Sequence, residues 1–238
     1  MLTFPKPQKY RAEVIEKIQV SSKVFKARYG FIDPQTLDFI AGQTVMLTVA
    51  PGVHRAMSIA SPPQENTVIT TFQNVGPGGP GSQWMIALKV GDPVEMMAPL
   101  GRFTVDHESP RKKIFVATGT GIAPFRSMLF DESDKDSLSH PMSLYWGLRS
   151  VDDIFINDEL ENISKERSAL KYHLMLSKPP EGWNGLVGHV TDLVMSSETD
   201  LPACDFYLCG NQKMIVEMQA RLSEKGVPKE QMKFDPFF

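Results

Sequence analysis

The stretch Ile114-Phe115-Val116-Ala117-Thr118-Gly119-Thr120-Gly121-Ile122-Ala123-Pro124-Phe125-Arg126-Ser127-Met128-Leu129 reads as a buried strand, a glycine turn and a helix. Gly119 and Gly121 can take backbone angles barred to other residues and let a ligand approach the main chain. Pro124 suits a first helical turn, where its missing N–H is no loss. The N–H groups at such a helix start face outward and favour an anion, so the form is that of a phosphate-cradling turn. The spacing is G-x-G-x-x-P rather than the dinucleotide-binding G-x-G-x-x-G, and the same string fits a tight strand-to-helix connection. The rest of the chain has to decide between the two.

Downstream, apolar strands alternate with helices. Ile114 to Thr118, Met142 to Gly147, Tyr172 to Ser177 and Asp205 to Cys209 are the strands, and four such repeats predict a doubly wound parallel sheet. The last helix runs from Asn211 to Lys225, with Met214, Ile215, Met218 and Leu222 on one face and Gly226 as its stop. A final strand covers Met232 to Phe237. Ligands of open sheets bind beyond the carboxyl ends of the strands, where Gly119 to Gly121, Gly147 to Arg149, Ser177-Lys178 and Cys209-Gly210 all fall.

Upstream the period is different. Lys9 to Ile18, Val24 to Ile32, Gln43 to Ala50, Arg55 to Ala60, Thr67 to Val75, Pro93 to Ala98 and Arg102 to Val105 are short alternating segments separated by turns, as in an antiparallel barrel or sandwich. One helix interrupts them after Gly76-Pro77-Gly78-Gly79-Pro80-Gly81, with Ser82 as its N-cap and Trp84, Met85 and Leu88 as its apolar face. Asp106 to Lys113 reads as a polar linker between the halves.

Composition sets limits on function. The chain has 238 residues and a formal charge of −3, with no basic block, which argues against nucleic acid. No apolar run approaches the roughly 20 residues that cross a bilayer, so no membrane segment is expected. The N-terminus lacks an apolar core followed by a small-residue cleavage site, and the expected address is cytoplasmic. Cys204 and Cys209 form no C-x-x-C, and the five histidines show no ligand spacing, so no metal is expected.

In the first half, His54-Arg55-Ala56-Met57-Ser58-Ile59-Ala60-Ser61 puts an arginine and a hydroxyl three apart, on opposite faces if the strand is regular. Arg55 suits a diphosphate. This segment is followed in order by Gly79-Pro80-Gly81-Ser82, Ala98-Pro99-Leu100-Gly101-Arg102-Phe103, the Gly119 to Pro124 turn, Tyr145-Trp146-Gly147-Leu148-Arg149 and Tyr207-Leu208-Cys209-Gly210. Together they closely resemble the ferredoxin–NADP reductase family over about residues 8 to 238.

The resemblance implies two domains: a flavin-binding antiparallel β-barrel with one short helix over residues 1–107, and an NAD(P)-binding α/β domain over 108–238. By it, Arg55 meets the diphosphate of FAD, with Ala56, Met57, Ser58 and Ile59 along the same strand. Ser58 lies beside the hydride-accepting nitrogen, and Gly79, Gly81 and Ser82 bind diphosphate oxygens at a helix start. Thr118, Gly119, Thr120, Gly121 and Pro124 hold the diphosphate of NADPH or NADH, Gly147 and Arg149 line the same crevice, and Cys209-Gly210 borders the nicotinamide. Cys209 equally fits a small core residue at a strand end. The implied activity is electron transfer between NAD(P)H and an external one-electron carrier, namely a ferredoxin, a flavodoxin or an oxygenase or haem component. Ser58, Cys209 and Asp235 are the residues placed at the chemistry.

Two departures stand out. Methionine occupies position 57, where the family usually stacks an aromatic ring on the flavin. Asp235-Pro236-Phe237 resembles the carboxylate, any residue, tyrosine ending of plant-type members, with phenylalanine for tyrosine and Phe238 added; Phe237 would shield the ring. A flavin reductase with exchangeable flavin and a non-catalytic flavin-holding subunit of a redox complex fit the same residues. Ser177 and Lys178 stand where NADPH-using relatives carry a serine and an arginine, whereas NADH-specific relatives often place an aspartate at position 177. The further basic and tyrosine positions correspond to Leu186 or Val187 and His189. The expected outcome is a modest preference for NADPH with NADH accepted.

Overall fold

A computed structural model describes residues 3–76, 78–131 and 140–236, with Pro236 by its main chain alone. The chain divides into two compact units, Met1–Val105 with Ala123–Ser133, and Asp106–Ile122 with Asp134–Phe238.

The first unit is built on six antiparallel strands, β1 (Gln8–Gln19), β2 (Val24–Asp33), β3 (Thr44–Ala50), β4 (Val53–Ser58), β5 (Val68–Asn74) and β6 (Pro93–Leu100), with helix α1 (Pro80–Ala87) before the last. Their order in the sheet is β4-β3-β6-β1-β2-β5. Period-two burial drives the curl: Val45, Leu47 and Val49 of β3 are buried while the residues between them are half-buried, so one face of the sheet collects the core. Just beyond the edge strand β4, the Ala60 N–H donates to Thr70 O of the other edge strand, β5, which draws the edges together into a half-closed barrel. Met85 of α1 is fully buried in that core.

Two local expectations are corrected here. Arg102 to Val105 is not a strand: β6 ends at Leu100, and the chain turns at Gly101, whose φ is 84°. Phe103 and Thr104 are buried all the same, because the Phe103 ring packs 5.8 Å from Phe125 of helix α2 (Ile122–Phe130) rather than pairing in a sheet. Ser82 is not the N-cap of α1. Gly79 holds that position and Pro80 is the first helical residue, where a missing N–H costs nothing.

The second unit is a six-stranded parallel sheet of β7 (Lys112–Thr118), β8 (Met142–Leu148), β9 (Leu170–Leu176), β10 (Leu186–Val187), β11 (Cys204–Gly210) and β12 (Met232–Pro236). Helices α3 (Asn157–Glu166), α4 (Val190–Ser197) and α5 (Gln212–Glu224) accompany it. The order β10-β9-β8-β7-β11-β12 starts in the middle, runs outward to β10, then returns to the other side of β7. The switch point therefore lies between the carboxyl ends of β7 and β11. β11 is buried at every position, as a central strand covered on both faces must be. β10 is an addition to the expected strands; two residues are too few to show a period. Asn211 caps α5 by accepting from Lys213 N at 2.8 Å, and Gly226, with φ 82°, follows its end.

The polar linker ends earlier than its composition predicts. Lys112 and Lys113 belong to β7 and point to opposite faces of the sheet. Lys112 Nζ reaches Glu198 at 2.7 Å, and Lys113 Nζ, 4% exposed as a residue, reaches Asp205 at 2.8 Å. Burial alone would raise the Asp205 carboxyl, but hydrogen bonds from Lys113 and Ser109 and the charges of Lys113 and Arg111 outweigh it and hold the pKa below the ordinary value. A carboxyl depressed in the folded state contributes stability that is complete above the unfolded value of about 4 and is lost as pH falls through the folded value. Lys113→Met is expected to cost about 3–5 kcal/mol near neutral pH, because it leaves a buried carboxylate without its main partner. In urea unfolding the gap to wild type should narrow as pH drops below about 4; a gap that stays constant there would show that this pair is not the acid-labile contact.

Candidate cofactor and nucleotide sites

Within the first unit, strand register brings Arg55 to the start of α1. β4 pairs regularly with β3 from Ser58↔Thr44 to His54↔Thr48, so Arg55 and Met57 share the face of Leu47 and Val45, while Ala56 and Ser58 share the other. The expected opposite-face placement of Arg55 and Ser58 thus holds, with no bulge between them. Arg55 runs past Gly81 so closely that a Cβ there would lie 3.1 Å from Arg55 Cγ and 3.2 Å from Gln73 Nε2. Glycine at 81 is what lets the side chain cross the helix start. The helix has no side-chain cap and no acidic residue in its first turn, so its opening N–H groups, Gly81 and Ser82 among them, are left for an outside acceptor. Gly79 and Gly78 precede it with φ 137° and 112°, angles that suit glycine. An arginine whose stem passes an uncapped helix start, next to two glycines, fits a diphosphate.

Of the other first-unit candidates on this segment, Ala56 is exposed and the rest are not. Ser58 is 5% exposed and Ile59 is fully buried with its N–H on Gln43 O; Met57 is half-buried and packed against the barrel core. Gln73 was not legible as a site residue, since its strand reads as an ordinary alternating segment. It is buried next to Arg55 and Gly81, with Oε1 lacking a hydrogen-bond partner among the described residues.

Within the second unit the switch point is so crowded that only glycine fits at two of its positions. A Cβ on Gly121 would stand 2.6 Å from the Cys209 carbonyl carbon and 2.8 Å from Gly210 Cα. A Cβ on Gly210 would stand 2.7 Å from Thr118 O and 2.9 Å from Thr118 N. Thr118 Oγ1 accepts the Asn211 N–H at 2.9 Å, a staple between the ends of β7 and β11. The turn Gly119–Gly121 is a single 3-10 turn leading into α2, with Gly119 at φ 56° and Pro124 in the first turn of the helix. Gly147 lies against Val190, a Cβ there being 3.1 Å from Val190 Cβ. Thr118, Gly119, Thr120, Gly121, Gly147, Cys209 and Gly210 are thus gathered at the carboxyl ends of β7, β8 and β11.

Ser177 and Lys178 continue the β8–β9 pairing past its end: Ser177 N donates to Leu148 O at 3.0 Å and Lys178 N to Arg149 O at 2.8 Å. Lys178 and Arg149 are exposed, and Ser177 is half-buried. Leu186 and Val187 flank them in register with Met175 and Leu176 of β9. Cys209 and Asp235 are paired neighbours on β11 and β12. Burial, then the nearby Asp235 charge, pushes the Cys209 thiol well above its ordinary range, so it stays protonated. Burial also raises the Asp235 carboxyl. Phe237 lies outside the described residues.

Among the described residues no three His, Cys, Asp or Glu side chains are placed to hold a metal ion, and no helix is long and apolar enough to cross a membrane.

Two family models match the chain. The Oxidoreductase FAD-binding domain family matches residues 11–105 and the Oxidoreductase NAD-binding domain family matches residues 115–220, which makes the class a two-domain flavin and nicotinamide oxidoreductase. A ferredoxin–NADP reductase B from Sorangium cellulosum (strain So ce56) is 33% identical over 232 residues, covering 93% of this chain and 94% of the relative. The chain belongs to the ferredoxin–NADP reductase family. One subunit of the Na(+)-translocating NADH-quinone reductase of Pseudomonas aeruginosa is 30% identical over 199 residues, 78% of this chain, which spans about half of that relative's length (49%). In fold, the Amycolatopsis cytochrome P450 reductase superposes with a TM-score of 0.88 at 23% identity, over 100% of this chain and 72% of the other.

The crowding at the switch point is testable. Gly210→Ala adds a side chain against the Thr118 main chain at φ 134° and is expected to destabilise by about 1–3 kcal/mol beyond Gly226→Ala. Gly226, at φ 82° with nothing within 4 Å, bears only the backbone cost, about 1–2 kcal/mol. Thermal unfolding of the two variants compares them directly, and equal losses would mean the approach of β7 and β11 is not tight.

Proposed function

We propose that the chain is an NAD(P)H-dependent flavoprotein reductase. It holds FAD in the barrel unit, takes a hydride from NADPH or NADH bound in the parallel-sheet unit, and hands electrons singly to an external carrier, an electron-transfer protein or the oxygenase or haem component of a redox complex. The observation that carries this reading is the crossing of Arg55 over the uncapped start of α1 at Gly81. Bound FAD supplies the exchange between two-electron and one-electron transfer. The chain's own residues bind and orient. Arg55 with the N–H groups of Gly81 and Ser82 neutralises the diphosphate, Ala56, Met57 and Ile59 set the strand along the cofactor, and Gly79 keeps the approach clear. Ser58 offers a hydroxyl at the ring nitrogen. Cys209, protonated because it is buried, offers a small neutral surface to the nicotinamide rather than a nucleophile, with Asp235 beside it. The work belongs in the cytoplasm, where reduced nicotinamide nucleotides are kept.

Purified protein should be yellow, and Arg55→Ala should bind FAD about tenfold to a hundredfold more weakly, the loss of a charge-assisted contact of about 1.5–3 kcal/mol. Flavin occupancy by absorbance, unchanged in the variant, would sink the assignment. A second reading, a reductase that uses exchangeable flavin as a substrate, is favoured by Met57: the side chain at the stacking position packs into the barrel core and presents no aromatic face. A colourless protein that oxidises NAD(P)H only when free flavin is added would select it.

The nucleotide preference follows from the exposed edge beyond β8 and β9. Ser177, Lys178 and Arg149 supply a hydroxyl and two cations for a 2′-phosphate, while the flanking Leu186 and Val187 supply none. Lys178 is a point charge without arginine's fork. The expected preference for NADPH is about tenfold in kcat/KM, and Lys178→Ala should remove most of it. A clear NADH preference in wild type, or undiminished NADPH use in the variant, would leave the lysine merely solvated.

A further inference from the structure

Trp146 fills a central position of β8, fully buried, paired to Ala117 on one side and Leu174 on the other. Phe155 meets its indole edge-on at 5.1 Å and 86°. A phenyl ring would serve most of that packing. What only the indole adds is its N–H, and Nε1 donates to the carbonyl of Gly119 at 2.9 Å, across 27 residues of sequence. We infer that Trp146 is a positioning residue for nucleotide binding: its indole N–H holds the Gly119 carbonyl and thereby aims the N–H groups of the glycine turn.

One peptide plane carries the effect. The carbonyl of Gly119 and the N–H of Thr120 belong to the same trans peptide and point in opposite directions. With the carbonyl drawn to the indole, the Thr120 N–H must point away from it. Gly119 sits at φ 56° and has no Cβ, so its ψ, which turns the plane between 119 and 120, is open to more than one orientation. The indole selects one. It can do so because its own strand is fixed by hydrogen-bonded neighbours on both sides. With the donor gone, the half-buried carbonyl loses its partner in the protein. Sequence alone marks Trp146 as core, and nothing in its spacing shows where the N–H goes.

The inference rests on the nucleotide-binding reading above, and calorimetric binding of NADP+ separates the two. Wild type that binds neither NADP+ nor NAD+ overturns that reading and this one with it. If wild type binds, Trp146→Phe is expected to weaken NADP+ binding about tenfold, and to raise KM for NADPH similarly with kcat within about twofold. Phe155→Leu removes packing from the same ring but leaves the N–H in place, and should lower the melting temperature with NADP+ affinity unchanged. A Trp146→Phe protein that binds like wild type, or a Phe155→Leu protein weakened as much as Trp146→Phe, overturns the positioning role. Should Trp146→Phe not fold, indole-15N labelling of wild type decides: of the three tryptophan indole signals, that of Trp146 should resist hydrogen exchange and shift on NADP+ addition. Rapid exchange at that signal, or no shift, overturns it.

Discussion

Between the carboxyl ends of β7 and β11 there is no room for a side chain, and the second unit is arranged around that fact. Gly121 faces the Cys209 carbonyl and Gly210 faces the Thr118 main chain, each closer than any Cβ could tolerate. The close approach lets Thr118 Oγ1 reach the Asn211 N–H and so tie the turn after one strand to the helix cap after the other. It also coincides with the reversal of strand order, where the connections of the sheet depart in opposite senses and leave a crevice. Main chain, rather than side chains, therefore forms the floor of the candidate nucleotide site. Main-chain floors suit diphosphates, which want N–H groups at short range.

The barrel unit solves a related problem with one glycine. On the edge strand β4, Arg55 lies on the face of Leu47 and its stem passes a short helix whose first turn is uncapped. A Cβ at 81 would press on the arginine stem and on Gln73. A guanidinium and a helix start each favour an anion nearby. The Arg55 Nη1 bond to its neighbour's carbonyl, His54 O at 2.7 Å, holds the guanidinium meanwhile.

Much of this was legible in the sequence, and the reasons for the rest are local. The change of period near residue 106 gave both architectures, because alternation and strand–helix repeats are imposed by burial and burial is what the two sheets share. The order of six motifs gave the family. Arg102 to Val105 misled because a segment can be apolar for the sake of a helix packed on it, here through Phe103 and Phe125, as well as for a sheet. Ser82 misled because a hydroxyl is the commonest cap, but a proline at 80 fixes the first helical residue two places earlier. Lys113 misled most: a lysine after a run of charges reads as solvated, and only the fold supplies the buried Asp205 and Ser109 that receive it. Gln73 and Trp146 show the general limit. A sequence displays that a polar atom is buried far more readily than it displays the atom on which it ends.

The paired lysines at the start of β7 have a consequence for the far end of that strand. Adjacent residues face opposite sides, so Lys112 and Lys113 can meet Glu198 and Asp205 in one register only; sliding β7 by a single residue would present each cation to the wrong side of the sheet. Buried ion pairs add little net stability, but they penalise such alternatives heavily. From Lys113 to Gly119 the strand is about 20 Å long. Over that length the ion pairs act as a datum from which the turn is measured. A slip of one would carry β-branched Thr118 or Thr120 into the left-handed angle that Gly119 occupies, and the phosphate cradle could not form. The accuracy of the turn is set at the opposite end of the sheet, by two charges that never approach a ligand there.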